Sequence, residues 1–277
     1  MNVIVDYFSS VPDFHRVVLL ALCLLFFGNI ELFSASKASH SKSKHILVNA
    51  LFMLPAAPVQ LFMGFLIVTV IQFTNIHHIG IIYALNLNQN GLVAFLVSFV
   101  LLDLFEYCYH LCMHSVKRLW MIHAVHHSDT ELTVSTTLRE HPMETFVRLL
   151  FLVIWVFIIG VSFWALLFRQ FIQIVSNVFA HSNFRLSEKA DRIVSLIFVT
   201  PNLHQVHHHF KLPNTDSNYG DVLSLWDRLF GTYRTARPEH LQFGLDTFPE
   251  RTETSNFLKL LRIPLGKYRS INKNAEL

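Results

Sequence analysis

SFVLLDLFEYCYHLCMHS, residues 98 to 115, is the stretch on which the fold turns. It ends an apolar run, for no Asp, Glu, Lys or Arg occurs between Lys44 and Asp103, and about 20 such residues in a helix cross the hydrocarbon core of a bilayer. Yet the stretch carries Asp103, Glu106, His110 and His114, at intervals of 3, 4 and 4. At 100° per residue these four stay within about 80° of one another, so one face of a greasy helix is titratable. Cys108 and Cys112 fall on the other side and read as packing residues. A polar stripe within a membrane is costly and faces a bundle interior with a function. The stretch therefore predicts an all-α integral membrane helical bundle with a site near one end of its helices.

The rest of the chain agrees. Of 277 residues, 15% are charged and 52% are apolar, 26 of them Phe. Ordinary soluble domains carry about 25% charge, so a soluble globular fold is excluded. The net charge of +3 comes with no Lys/Arg tract interleaved with aromatics, so no nucleic-acid partner is expected. Charge-free intervals place the crossings: one between Arg16 and Glu31, one at roughly 46 to 74 bent by Pro55 and Pro58, and one at 91 to 112 after the polar turn NLNQNG. The intervals from Arg148 to Arg169 and from Arg169 to Arg185 read as a helical hairpin hinged near Gly160 to Trp164. The first run is not a cleaved signal, because Asp6 and Asp13 precede it. The expected bundle has about four crossings plus a helical hairpin. Lys37, Lys42 and Lys44 lie in one loop, Lys117, Arg118 and Arg139 in another, and none lies in 75 to 90. Cations in short loops stay in the cytoplasm, so the site belongs to a cytoplasmic histidine-rich cap. The expected organisation is transmembrane helices over 1 to 90, a di-metal domain over 91 to 235 and a cytoplasmic tail over 236 to 277.

Seventeen histidines are the anomaly. After HxxxH at His110 and His114 come two copies of HxxHH, at His123, His126 and His127 and at His204, His207 and His208. Offsets of 0, 3 and 4 put three imidazoles on one helical face, and neutral imidazole is the commonest side-chain metal ligand. A further stripe, Gln170, Gln173, Asn177 and His181, repeats the 3, 4 and 4 stagger. Nine histidines (His110, His114, His123, His126, His127, His181, His204, His207 and His208) exceed the four ligands of one structural zinc and imply two metals. Histidine without thiolate suits Fe, Cu, Ni or Zn. Asp103, Glu106 and Asn177 are candidate catalytic residues. Asp103, Glu106, Asp129 and Asn218 are candidate partners for the imidazole N–H groups. His141 is a possible tenth ligand, His209 points away, and His15, His40, His45, His77, His78 and His240 read as surface or interfacial.

These boxes and their flanks HSDTELTVSTTLREHP, TPNLHQVHHHFKLPNTDSNYG and LWDRLFGTY resemble the fatty acid hydroxylase and sterol desaturase superfamily over about residues 90 to 235. The resemblance implies a non-haem di-iron oxygenase of the bacterial inner membrane, with two irons on the nine histidines. It implies action on lipid C–H bonds with O2 as co-substrate. Family members that hydroxylate sphingolipid acyl chains carry a histidine where Asn177 sits. With no fused cytochrome domain, electrons are expected from a separate reductase or ferredoxin-type donor. Hydroxylation is preferred to desaturation by analogy with the family. A membrane metal-binding protein or a haem electron-transfer protein is the alternative of another class. Haem ligation would set single histidines near the mid-plane, and a transporter would line a through-path that the charge-free 45 to 102 does not offer.

Overall fold

Each apolar interval becomes a helix whose ends its own residues set. The computed structural model describes residues 18–28, 42–237, 240–248 and 251–266. Helix α1 is Val18–Gly28, followed by α2 (Lys42–Ala50), α3 (Met53–His77), α4 (Ile81–Ala84), α5 (Leu92–Ser115), α6 (Lys117–His127), α7 (Pro142–Ile159), α8 (Phe163–His181), α9 (Glu188–Val194), α10 (Pro201–His207), α11 (Leu225–Phe230), α12 (Arg251–Thr254) and α13 (Phe257–Arg262). Among the described residues the only β pairing is two isolated bridges. The stretch Ser43–Ala84 and helices α5, α7 and α8 are long and apolar enough to cross a membrane. The expected all-α membrane bundle is what the chain forms.

The expected bend in the first long span sits at Leu51 and Phe52, between α2 and α3. Pro55 accounts for it, since a proline ring clashes with the carbonyl four residues back, here that of Leu51. Pro58 is accommodated inside α3. The hairpin turns where it was expected: Gly160 ends α7 at φ 68°, and the Ser162 hydroxyl caps α8 by accepting from Ala165 N at 3.3 Å. Gly80 meets this turn so closely that a Cβ there would lie 2.4 Å from Gly160 N. As described, α1 is 11 residues, about 16 Å at 1.5 Å per residue; the rest of the expected first crossing lies outside the described residues, as do His15, His40 and Lys37.

Met63, Ile67, Ile71, Leu102, Phe105, Leu152 and Val156 form the core among α3, α5, α7 and α8. A second cluster joins Val48 and Phe52 to Trp120 and Val125 of α6 and to Leu245, Leu260 and Ile263. Residues from all three expected segments thus share one packed wall behind α6, the helix that carries three of the histidines.

Candidate metal centre

Four helix ends converge to bring the nine histidines together. His110 and His114 end α5, His123, His126 and His127 end α6, His181 ends α8, and α10 supplies His204, His207 and its cap residue His208. They form two groups. Taking one nitrogen from each residue, those of His110, His114, His123, His127 and His207 lie within 4.8 Å of one another, and so do those of His126, His181, His204 and His208. The groups adjoin, with the His127 and His208 rings stacked at 4.5 Å. Each HxxHH box sends its first and last histidine to one group and its middle one to the other.

The outward nitrogens explain how the rings are held. Nδ1 of His110 donates to the Tyr219 carbonyl (3.0 Å), of His126 to Arg139 (3.3 Å), of His181 to Asn177 (2.8 Å) and of His207 to Ser217 (2.7 Å). Nδ1 of His123 donates to Glu144 Oε1 at 2.7 Å, and that of His114 to Asp216 Oδ1 at 3.2 Å. A carbonyl can only accept, so the Nδ1 atoms of His110, His126, His181 and His207 carry the proton and their Nε2 keeps a lone pair. Nevertheless Nε2 of His126 faces Nε2 of His181 at 3.0 Å. No proton lies between such neutral rings, so lone pair meets lone pair. His114 Nε2, His207 Nε2 and both nitrogens of His127 are buried without a hydrogen-bond partner. Buried polar atoms in that state call for a ligand, and a cation is the ligand that lone pairs take. Two nitrogens bound at about 2.1 Å to one ion, at right angles, lie about 3.0 Å apart. The donor set therefore fits two metal ions, and outward Nδ1 partners are what metal-binding imidazoles require.

Burial first, then the neighbouring imidazoles, push His126, His127, His204, His207 and His208 well below the ordinary histidine range. Burial, helped by Arg148, pushes His123 down to about 3. These rings are neutral at physiological pH, the form that binds metal.

The expected outer partners sit elsewhere. Asp103 accepts from the main-chain N–H groups of Val222 (3.2 Å) and Leu223 (3.1 Å) and from Trp226 Nε1 (2.9 Å); it pins a loop and touches no imidazole. Glu106 pairs with Arg169 at 3.6 Å. Asn177 gives its carbonyl to His181 while its Nδ2 donates to Asp221 at 2.8 Å, so its main chain orients a candidate ligand. Asn218 Nδ2 donates to the Leu203 and Arg234 carbonyls. Asp129 accepts from His45 Nε2 (2.7 Å), Asn49 and Thr136; burial alone would raise its pKa, but Arg139 and these donors outweigh it and hold it at about 2. His45 is half-buried and held by this hydrogen bond. His141 caps α7 by accepting from Met143 N and is in neither group, nor is His209, which accepts from Gln242 N. Glu144, Asp216 and the carbonyls of Tyr219 and Ser217 are the partners that sequence reasoning missed.

Asp216, Ser217 and Tyr219 lie on one segment that runs down α5, meeting His114, then His110 with Tyr219, then Asp103 with Val222 and Leu223. Beside the histidines opens a cavity of about 320 Å³. Leu20, Phe52, Met53, Ala56, Leu149 and Leu152 make it apolar, whereas Glu106, Glu140, Arg148, Gln170 and Gln173 make it polar beside His110, His123, His126 and His181. Arg148 joins Glu140 at 3.1 Å.

The chain matches the fatty acid hydroxylase family over residues 95–232, an interval that contains all nine histidines. It is 31% identical over 140 residues to the ornithine lipid hydroxylase OlsE of Rhizobium tropici, a match covering 50% of this chain and 41% of that protein. It is 30% identical over 165 residues to the alkylglycerol monooxygenase of Homo sapiens, covering 56% and 33%, and 31% identical over 147 residues to that of Danio rerio, covering 50% and 30%. The matched region thus spans less than half the length of each of these relatives. No solved structure is significantly similar to the chain.

Proposed function

We propose, from the premise that this chain belongs to the fatty acid hydroxylase and sterol desaturase superfamily, that it is a membrane-bound di-iron oxygenase hydroxylating a C–H bond of a membrane lipid. The observation that carries the proposal is the pair of adjoining imidazole groups with Nδ1 committed outward and Nε2 turned inward. His110, His114, His123, His127 and His207 would hold one iron, and His126, His181, His204 and His208 the other. The iron pair would supply dioxygen activation and hydrogen removal from an unactivated carbon, which no side-chain acid or base performs.

What the chain's own residues contribute is position and environment. Glu144, Asp216 and the four carbonyls hold six of the nine rings, His110, His114, His123, His126, His181 and His207, in direction. Phe52, with Met53 and Ala56 of α3 and Leu149 and Leu152 of α7, forms the wall along which an acyl chain or ring lies, and these residues keep bulk water from the histidines. Glu106, Glu140 and Arg148 offer the polar end of the same cavity to a headgroup. The named substrates of the relatives, an ornithine lipid and alkylglycerols, are lipids with a polar head, the class that such a cavity suits.

The remaining readings are proposals of the same kind: an inner-membrane multi-pass protein, histidines on the cytoplasmic side, and two electrons from a separate reductase or ferredoxin-type donor. Lys42, Lys117 and Arg118 support the orientation. Arg139 does not count towards it, being buried and hydrogen-bonded inside the protein. Purified protein reconstituted with iron, a reductant and lipid extract under labelled dioxygen should give a lipid heavier by one labelled oxygen. A product lighter by two hydrogens would make it a desaturase, and no oxygen consumption at full iron loading would end both readings.

A further inference from the structure

Outside the four long apolar helices, one surface exposes more greasy area than a water-facing cap tolerates. Ile193, Leu196, Ile197, Phe198, Leu229 and Phe230 are all exposed, Ile193 by 60% and Leu229 by 69%. Two chain segments supply them, and hydrogen bonds make the two a single body. Ser224 Oγ and Arg228 Nη2 donate to the Ser195 carbonyl at 2.7 and 3.0 Å, Ser224 N donates to Ile197 O at 2.9 Å, and Val199 N donates to Val222 O at 2.9 Å. Contiguous apolar patches beyond a few hundred Å² mark an interaction surface.

The anchors of this body tell where it lies along the bundle. It is tied to Asp103 through Val222, Leu223 and Trp226, to Arg169 through Asp221 at 2.7 Å, and to Tyr107, on which Phe230 stacks at 5.3 Å. Asp103 and Arg169 each sit 12 residues before the histidine-bearing ends of α5 and α8, about 18 Å at 1.5 Å per residue. Since the hydrocarbon core is about 30 Å thick, the body stands beside the middle of the spanning helices and not beyond their ends. Beside its two anchors the same helices expose Val100 and Phe168, so the patch continues a lipid-facing surface. Lys189 and Arg192, both exposed, precede the patch on α9, where cations meet anionic headgroups.

We propose that residues 193–198 and 225–230 form a membrane-embedded shelf, seated in the leaflet that holds the histidine-bearing helix ends, with acyl chains as its occupant. The expected cytoplasmic cap is thereby narrowed to the segments outside this shelf. The full chain in nanodiscs of phosphatidylethanolamine and phosphatidylglycerol tests it. With p-benzoylphenylalanine in place of Ile197 or Leu229, irradiation should give adducts of lipid mass. The same should hold at Phe65, an exposed residue of α3, and the adducts should be lost at Arg118, an exposed cap residue. A covalent dimer at Ile197 or Leu229 would assign the patch to a second copy of the chain, and absence of lipid adducts there would place it in water; either overturns the shelf. A nitroxide on Phe198→Cys, in a chain without its native cysteines, gives an independent reading. It should collide more with dissolved oxygen than with a water-soluble nickel chelate, and the reverse order refutes the proposal.

Discussion

Removal of the Glu144 carboxylate should empty one metal group and leave its neighbour filled. Glu144 is 1% exposed and its Oε1 accepts from His123 Nδ1 at 2.7 Å, while His123 belongs only to the five-histidine group. In Glu144→Ala the ring loses the partner that fixes both tautomer and direction. Loss of such a partner costs metal affinity about 10- to 100-fold, or about 1.4 to 2.8 kcal/mol at 1.4 kcal/mol per decade. The four-histidine group takes its Nδ1 contacts from Arg139 and Asn177 carbonyls, which the substitution does not touch. Arg148 keeps Glu140 at 3.1 Å, so the neighbouring charge is not stranded. Glu144→Gln retains an acceptor oxygen and should lose less, whereas Glu144→Asp, shorter by one methylene, cannot span the 2.7 Å contact and should resemble alanine. The assay is elemental analysis of iron per chain after dialysis against a graded chelator. Wild type should release iron in two closely spaced steps; Glu144→Ala should release one iron at chelator concentrations about 10- to 100-fold lower and the other unchanged. Equal weakening of both irons, or of neither, would refute the division into two groups.

Alanine at any of the nine histidines should lower bound iron, whereas His209→Ala and His240→Ala should keep both ions by the same analysis. Arg139→Met removes a buried guanidinium that donates to Val125 O, Asn49 Oδ1, Ser128 Oγ and Thr254 O. Loss of a buried charge network costs about 3 to 5 kcal/mol, so the midpoint of thermal unfolding in detergent should fall by about 6 to 20 °C; a shift within about 2 °C would contradict the network's role. Gly80→Ala forces a Cβ to 2.4 Å from Gly160 N at φ 120° and should sharply reduce the yield of monodisperse protein, while Gly231→Ala, with nothing within 4 Å, should carry only the cost of its left-handed backbone. Single cysteines at Lys42 and Asn88 should react with impermeant reagents from opposite sides of the membrane, and labelling of both from one side would reverse the topology.

Much of this was legible in the sequence for one physical reason: membranes and metals both restrict residue type. A bilayer forbids frequent charge, so the interval from Lys44 to Asp103 announced helices. Histidine is dear inside a core unless it binds something, so nine of them at offsets of 3 and 4 announced a metal site. What stayed hidden lies in the backbone and at long range. The carbonyls of Tyr219, Ser217, Arg139 and Asn177 orient four of the rings, and every residue has a carbonyl, so no side chain marks them. Asp103 looked like an acid aimed at the histidines because it shares their helix face, yet its partners are Arg169 of α8 and Val222, Leu223 and Trp226, which lie 66 to 123 residues away. Arg139 looked like a loop cation and is instead among the largest fully buried side chains.

The division of the histidines follows from the helix itself. At 100° per residue, side chains four apart differ by about 40°, whereas the middle histidine of HxxHH, at offset 3, lies about 60° from the first and about 100° from the last. An i, i+4 pair therefore stays together and i+3 turns to a neighbouring place. All three boxes obey this. His110 and His114 share one group, as do His123 and His127, and His126 leaves for the other; His204 and His208 share the second group, and His207 leaves for the first. Since α6 and α10 each donate a pair to one group and a single ring to the other, the two groups are held at a fixed spacing by the same two helices. A lone HxxHH on one helix could fill neither group. Two copies facing one another with their roles exchanged, joined by HxxxH and His181, make two adjoining centres, and that is why the repeated motif points to a metal pair and not to one heavily liganded ion.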